Sequence, residues 1–241
     1  MDKKAADPVA SFCELHARLS SLSSHGEGWI FRGNAHDEWE LIPKAGRKPY
    51  TGHEKTLFGV WKRMAVGHIV SNITSDWDWL AIAQHHGLAT RLLDWTTNPL
   101  NAAYFAVREP RKKRAASAHG PAVIHAARFV EPFKPSAETL LEEPLKSDSV
   151  AIFRPRYVVP RIVRQEGLFT VHGPPETPLE SREGIVDLEQ IVIAEPYRTN
   201  LLAELARYGV NHASLFPDLD GLSSYLNWTV ESGKSSGEFL D

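Results

Sequence analysis

Cysteine is almost missing from this chain: Cys13 is the only one in 241 residues. A lone thiol can form no intrachain disulfide and no multi-cysteine zinc site, which suits a reducing compartment. Long apolar runs are missing too, and none approaches the roughly 20 residues needed to span a bilayer. The opening stretch MDKKAADPVA has none of the apolar character of a signal peptide. The expectation is a cytoplasmic protein with no membrane contact. Nor does one sign of charge dominate, with 27 Lys+Arg against 30 Asp+Glu and a net charge of -3. That balance gives no global pull toward nucleic acid or acidic lipid. Neither internal repeats nor an HExxH pattern can be found, so solenoid folds and that class of metalloenzyme are excluded.

What is present is ordinary globular material. Hydrophobic residues make up 42% and charged residues 24% of the chain, enough apolar content to bury a core and to argue against disorder. Helical spacing of Val9, Phe12, Leu15, Leu19 and Leu22 predicts a helix over 8–22. A short strand is expected at Trp29-Ile30-Phe31, with Gly33 turning the chain sharply after Arg32. Helices are expected from Glu54 to Ser71 and from Asp76, the latter capped by Ser75 and closed at Gly87. A strand over Thr90–Trp95 then leads to a helix opened by Asn98-Pro99. Strands over 122–129, 150–154, 167–172 and 188–194 follow, then helices over 200–208 and 219–228. Helices in the first half and strands in the second predict a single α+β domain. The boundaries read as an N-terminal helix over 1–27, a domain over 28–230 and a disordered tail over 231–241.

Several side chains could carry chemistry. The planar fork of Arg32 suits a phosphate or carboxylate, or could pair with a buried acid such as Asp94. Asp94 needs a cationic partner on its strand, with Arg32 and Arg91 both in reach. Thr90, Thr96 and Thr97 add polar groups to the same stretch, and Trp95 could cover a ligand ring or fill the core. His85 and His86 point about 100° apart on a helix, which argues against their sharing one metal ion. One would cap or hydrogen-bond, and the other, His86, is a candidate acid or base. Arg161, Gln165 and Glu166 form a second polar cluster. Glu166 could polarise a ribose hydroxyl or pair with Arg164. Asp218, Asp220 and Gly221 lack the further ligands of a calcium loop and read as a helix cap. Arg111-Lys112-Lys113-Arg114 is a basic run that could touch phosphate or simply be a solvated turn.

Three segments together resemble a known family. Trp29-Ile30-Phe31-Arg32-Gly33, the run Gln84–Pro99 and Ala102-Ala103-Tyr104-Phe105-Ala106 look like the FRG domain, named for its Phe-Arg-Gly motif. Arg161 with Gln165–Phe169, and the late Leu215–Gly221, are similar to its pattern as well. FRG proteins are bacterial and phage-associated and occur in mobile and defence-linked settings, which the resemblance extends to this chain. The motif order also resembles that of arginine-type ADP-ribosyltransferases, implying a fold of that kind and NAD as substrate. By that analogy Arg32 and Gly33 would hold the cofactor phosphates, and Thr96 or Thr97 would supply the pocket hydroxyl. Trp95 or Tyr104 would lie against a ring, with Thr90, Arg91 and Asp94 around them, and Gln165 or Glu166 would act at the ribose. The acceptor would be a protein side chain, a nucleic acid or water, and no metal is expected. The chain departs from that pattern in having no Ser-Thr-Ser run and no Glu-x-Glu. Its rivals are a non-catalytic ligand- or partner-binding domain and, more weakly, a nuclease or nucleic-acid-binding protein, which the acidic net charge disfavours.

Overall fold

A computed structural model describes residues 7–69, 73–108, 120–129, 143–146, 148–155, 160–182 and 185–233. The basic run Arg111–Arg114 and most of the expected tail lie outside these residues, and the helix expected to reach Ser71 ends earlier, at Ala65, with one 3-10 turn over Val66–His68 before Ile69 turns extended.

Six strands form one antiparallel sheet: β1 (Ile30–Asn34), β2 (Leu92–Thr96), β3 (Ala122–Phe129), β4 (Val150–Phe153), β5 (Gly167–His172) and β6 (Ile185–Ile193). Their order across the sheet is β4-β5-β2-β1-β3-β6. Among the described residues the helices are α1 (Phe12–Ser23), α2 (Glu54–Ala65), α3 (Asp76–His85), α4 (Pro99–Val107), α5 (Pro160–Arg164), α6 (Arg198–Arg207), α7 (His212–Leu215) and α8 (Leu219–Glu231). The fold is α+β, as composition and order predicted. The split into a helical first half and a strand-rich second half is corrected. The two central strands, β2 and β1, come from the helical half, and the chain closes on three helices.

Local signals placed most boundaries. Asn98 Oδ1 accepts from the amides of Leu100 and Asn101 ahead of Pro99, so α4 starts where the sequence predicts. Ser75 Oγ accepts from the Trp77 amide at the start of α3. At the other end of α3, Leu88 N reaches Ala83 O and Gly87 N reaches Gln84 O. That pairing requires the left-handed φ of 83° found at Gly87. Ser11, rather than residue 8, opens α1. Val9 is instead tied beside β6 by Val9 N to Val192 O and Ala194 N to Val9 O.

The apolar core is in three parts. One gathers Phe31, Ile124, Ile191 and the inner face of α4 with α1 and α6. A second joins Phe58, Trp77, Leu80 and Leu92 with Phe169 and Val171. The third holds Ile30, Leu93, Trp95, Leu168 and Leu179. Alternation along β2 divides its side chains between the second and third clusters, as a strand's period of two requires. No helix among the described residues is long and apolar enough to cross a membrane.

Candidate functional site

Strands β1 and β2 are paired at a single point, Phe31 with Thr96. Beyond it, Arg32 takes over the work of the ladder: its Nη1 donates to the backbone oxygen of Asp94 at 2.8 Å. The Phe-Arg-Gly segment therefore lies inside a strand, and the sharp turn expected at Gly33 is not there. Glycine is required for a different reason. A Cβ on Gly33 would sit 2.0 Å from Ala102 O and 2.5 Å from Ala106 N, so the bare backbone lets α4 lie directly on β1.

This arrangement borders a cleft of about 1200 Å³, with Arg32, Gly33, Asp94, Thr96 and Gln165 in its wall. Its volume is somewhat above the roughly 300–1,000 Å³ of most small-ligand sites. Three segments far apart in sequence thus meet at one opening. Arg32 is largely enclosed, its side chain 19% exposed. Its Nε is buried and has no hydrogen-bond partner among the described residues. Burial draws its pKa down from the ordinary arginine value; Asp94 opposes this and Arg47 adds to it.

Asp94 departs from the expectation of a buried acid: its side chain is 61% exposed, on the cleft wall. Of its two candidate partners it has Arg32, with Nη1 to Oδ2 at 3.8 Å. Gln84 Nε2 donates to the same Oδ2 at 2.9 Å, and Thr90 Oγ1 donates to Gln84 Oε1 at 2.6 Å. Arg91 is engaged elsewhere, in a buried pair with Glu54: Nε to Oε2 at 2.9 Å, and Arg91 N to Oε1 at 2.6 Å. Both side chains are about one-tenth exposed or less, so this pair anchors α2 to the start of β2 and does not reach the cleft.

The remaining sequence candidates divide. Thr96 Oγ1 donates to Gln165 O at 2.7 Å and accepts from Asn98 N, which clasps β2 to the end of α5. Gln165 faces the cleft with its Nε2 on Leu215 O. Glu166 does not join it in the wall. It is exposed with a left-handed φ of 49°, and its carboxylate accepts from Asn98 Nδ2 at 3.0 Å and Thr97 Oγ1 at 3.3 Å. That clasp, rather than the expected pairing with Arg164, accounts for Glu166 and Thr97. Trp95 resolves to core: it is 3% exposed, and its Nε1 donates to Thr170 Oγ1 at 2.9 Å. Tyr104 is buried as well, with its hydroxyl 2.7 Å from His212 Nδ1 and its pKa raised by burial to about 12. Trp95 contributes to the cleft wall, whereas Tyr104 does not.

Both histidines before Gly87 reach the cleft, their rings 4.9 Å apart and edge-on. Burial, followed by the charges of Arg161 and His86, draws His85 down to about 4, so it is neutral at physiological pH. Among the described residues no three His, Cys, Asp or Glu side chains come close enough to hold a metal. Asp218 caps α8, its Oδ1 accepting from Gly221 N, and also borders the cleft.

Sequence reasoning missed several wall residues, Arg108, His36, Trp39 and Arg198 among them, whereas Arg161 was already placed in the second polar cluster. Arg108 lies over the rings of Phe105 and Phe216 at 4.8 and 5.2 Å, and Arg161 lies over Phe216 at 4.2 Å. Phe216 is thus flanked by two guanidiniums, a cation–π arrangement that fixes them at the cleft. His36 and Trp39, with ring centroids 4.6 Å apart, also line it. Arg198 lines it too while donating to Ala35 O and Gly120 O. The wall therefore carries Arg32, Arg108, Arg161 and Arg198 against Asp94 and Asp218. A protein of net charge -3 encloses a cationic cleft, which focuses positive potential on whatever enters. The signal for Arg108 and Phe216 was weak, since only folding brings residues so far apart in sequence onto one ring.

Fold and site together define a single-domain α+β protein with an arginine-lined cleft at the junction of its central strands. Residues 27–115 match the FRG domain. The matched stretch contains Arg32, Gly33, Gln84 and Asp94, whereas Gln165 and Asp218 come from beyond it. No curated protein and no solved structure matches the chain.

Proposed function

We propose that the cleft binds a phosphate-bearing nucleotide, NAD first among candidates, and that Arg32 holds one of its phosphates. The single observation that carries this reading is the Arg32 guanidinium, held by one nitrogen on Asp94 O while its buried Nε stands unpartnered at a cleft of about 1200 Å³. A guanidinium fork matches an oxyanion in two parallel hydrogen bonds, and the Asp94 backbone oxygen engages only Nη1 of Arg32. Arg108 and Arg161 supply further positive charge for a second phosphate.

The same cleft could cleave NAD. Breaking the bond between the nicotinamide nitrogen and the ribose sends the electron pair out with nicotinamide and leaves positive charge on the sugar. An acceptor oxygen then bonds to that carbon and gives up its proton. A carboxylate held beside the sugar stabilises the developing charge, and Asp94 is the acid that lies in the wall next to Arg32. The acceptor would be water, a protein side chain or a nucleic acid. An effector role in phage defence would suit such an activity.

A second reading, non-catalytic binding of a nucleotide or partner, is favoured by the place of Glu166. The acid expected at the ribose by analogy is engaged with Thr97 and Asn98 outside the cleft wall. Calorimetry with NAD, ADP-ribose and ATP, alongside incubation with labelled NAD, separates the two. Binding that Arg32→Ala abolishes, with nicotinamide release or label transfer, supports the enzyme. Such binding without turnover leaves the second reading, and absence of any nucleotide binding removes both.

A further inference from the structure

Resting on the nucleotide reading above, we infer that the cleft selects a ribose phosphate in particular, with Asp94 accepting from the sugar hydroxyls while Arg32 holds the phosphate, and with Gln84 and Thr90 as the residues that position Asp94. The hydrogen-bond chain has a fixed direction. Thr90 is fully buried, and its Oγ1 already accepts from Leu92 N at 3.2 Å. Its hydroxyl proton goes to Gln84 Oε1, 2.6 Å away, because the Asp94 carboxylate can only accept and so faces the Gln84 amide nitrogen. That settles which way the Gln84 amide faces: its oxygen is toward Thr90, and its Nε2 donates to Asp94 Oδ2 at 2.9 Å. Arg32 Nη1 approaches that same oxygen at 3.8 Å.

One carboxylate oxygen is thus pinned from two sides. The other, Oδ1, makes no hydrogen bond among the described residues, on a side chain 61% exposed at the cleft wall. A carboxylate oriented in this way is an acceptor with no donor, and a hydroxyl pair is the donor that suits it. Arg32 beside it has the opposite need: its buried Nε is a donor with no acceptor. A sugar phosphate satisfies both groups at once, whereas a bare anion meets only Arg32 and is repelled by Asp94. A ligand carrying a phosphate without hydroxyls would leave Asp94 unmatched next to it, which is how the pair discriminates. Without the Thr90–Gln84 chain, Asp94 would be free to turn onto Arg32 and close the site with an internal ion pair.

Calorimetry with four probes tests this: ADP-ribose, ribose 5-phosphate, 2-deoxyribose 5-phosphate and inorganic phosphate. Ribose 5-phosphate is expected to bind at least about tenfold more tightly than its 2-deoxy counterpart, since hydroxyl bonds to a charged acceptor are at stake. Asp94→Asn should reduce that ratio to about twofold or less while leaving inorganic phosphate binding no weaker. Gln84→Leu should do the same if its role is to orient Asp94, and circular dichroism checks that both variants are folded. Equal binding of the two sugar phosphates to the unaltered protein would overturn the inference without any mutation, while the nucleotide reading survives. Discrimination that persists in Asp94→Asn would overturn it also. If ADP-ribose and every smaller probe fail to bind, the nucleotide reading falls and this inference with it.

Discussion

Gly33 and Ala102 are packed backbone to backbone: a methyl group on Gly33 would lie 2.0 Å from the Ala102 carbonyl oxygen. That contact seats α4 on β1 and so fixes the distance from Arg32 to the rest of the cleft. Because the neighbours are backbone atoms of a helix, no side chain can rotate away to make room. Gly33→Ala is expected to destabilise the fold by more than about 2 kcal/mol, as overpacking against a rigid partner does. A fall in the urea midpoint without a change in slope would show it.

Arg32 offers a cleaner test of recognition than of stability. Arg32→Lys keeps the charge but loses the fork and the Nε donor that stands unpartnered. Nucleotide affinity should fall at least about tenfold by calorimetry. Affinity equal to that of the unaltered protein would mean that only charge is read.

The Glu54–Arg91 pair is structural and should behave so. Removing one partner leaves the other buried and uncompensated at a site about one-tenth exposed or less. Glu54→Ala is expected to cost about 3–5 kcal/mol. Chemical denaturation measures it, and a loss under about 1 kcal/mol would contradict the account.

Two buried histidines set an acid limit. Asn34 Nδ2 faces His125 Nε2 at 3.3 Å and also donates to Trp39 O, so Nε2 is the acceptor and the proton sits on Nδ1, buried without a partner. Thr170 receives Trp95 and gives its own proton to His172 Nε2 at 2.8 Å, with the same result. Desolvation, with Arg32 for His125 and Arg182 first among the charges near His172, lowers them from 6.5 to about 4 and about 3. The unfolded chain therefore binds protons before the folded one does. Stability is full above about pH 6.5 and declines as pH falls toward 4, by on the order of 3 kcal/mol for His125 alone. Denaturation midpoints across that window check this, and His125→Gln should flatten the slope.

Glu166 supplies the contrast. It is exposed and bonded to Thr97 and Asn98 outside the cleft wall, so Glu166→Gln should leave nucleotide affinity within about twofold, a change too small for a lost direct contact. A tenfold loss in calorimetry would bring it back into the site.

The sequence by itself determined the elements and the stretch that matters. Caps at Ser75 and Asn98, the glycine closing α3 at Gly87 and the alternation along β2 act over a few residues, so they could be read without tertiary knowledge. The family motif, too, is local. Which side chains share a cleft was decided only by packing. Asp94 lies in β2 and Arg91 just before it, at an odd spacing that predicts opposite faces, but only the fold decides that one face opens to the cleft and the other is sealed against Glu54. Glu166 follows Gln165 directly, and the left-handed turn between α5 and β5 sends them to different places. Arg108 and Arg161 meet over Phe216 because three helices converge there. Such outcomes depend on long-range contacts and on the side to which each backbone segment turns. Neither residue type nor spacing encodes that until the sheet has assembled.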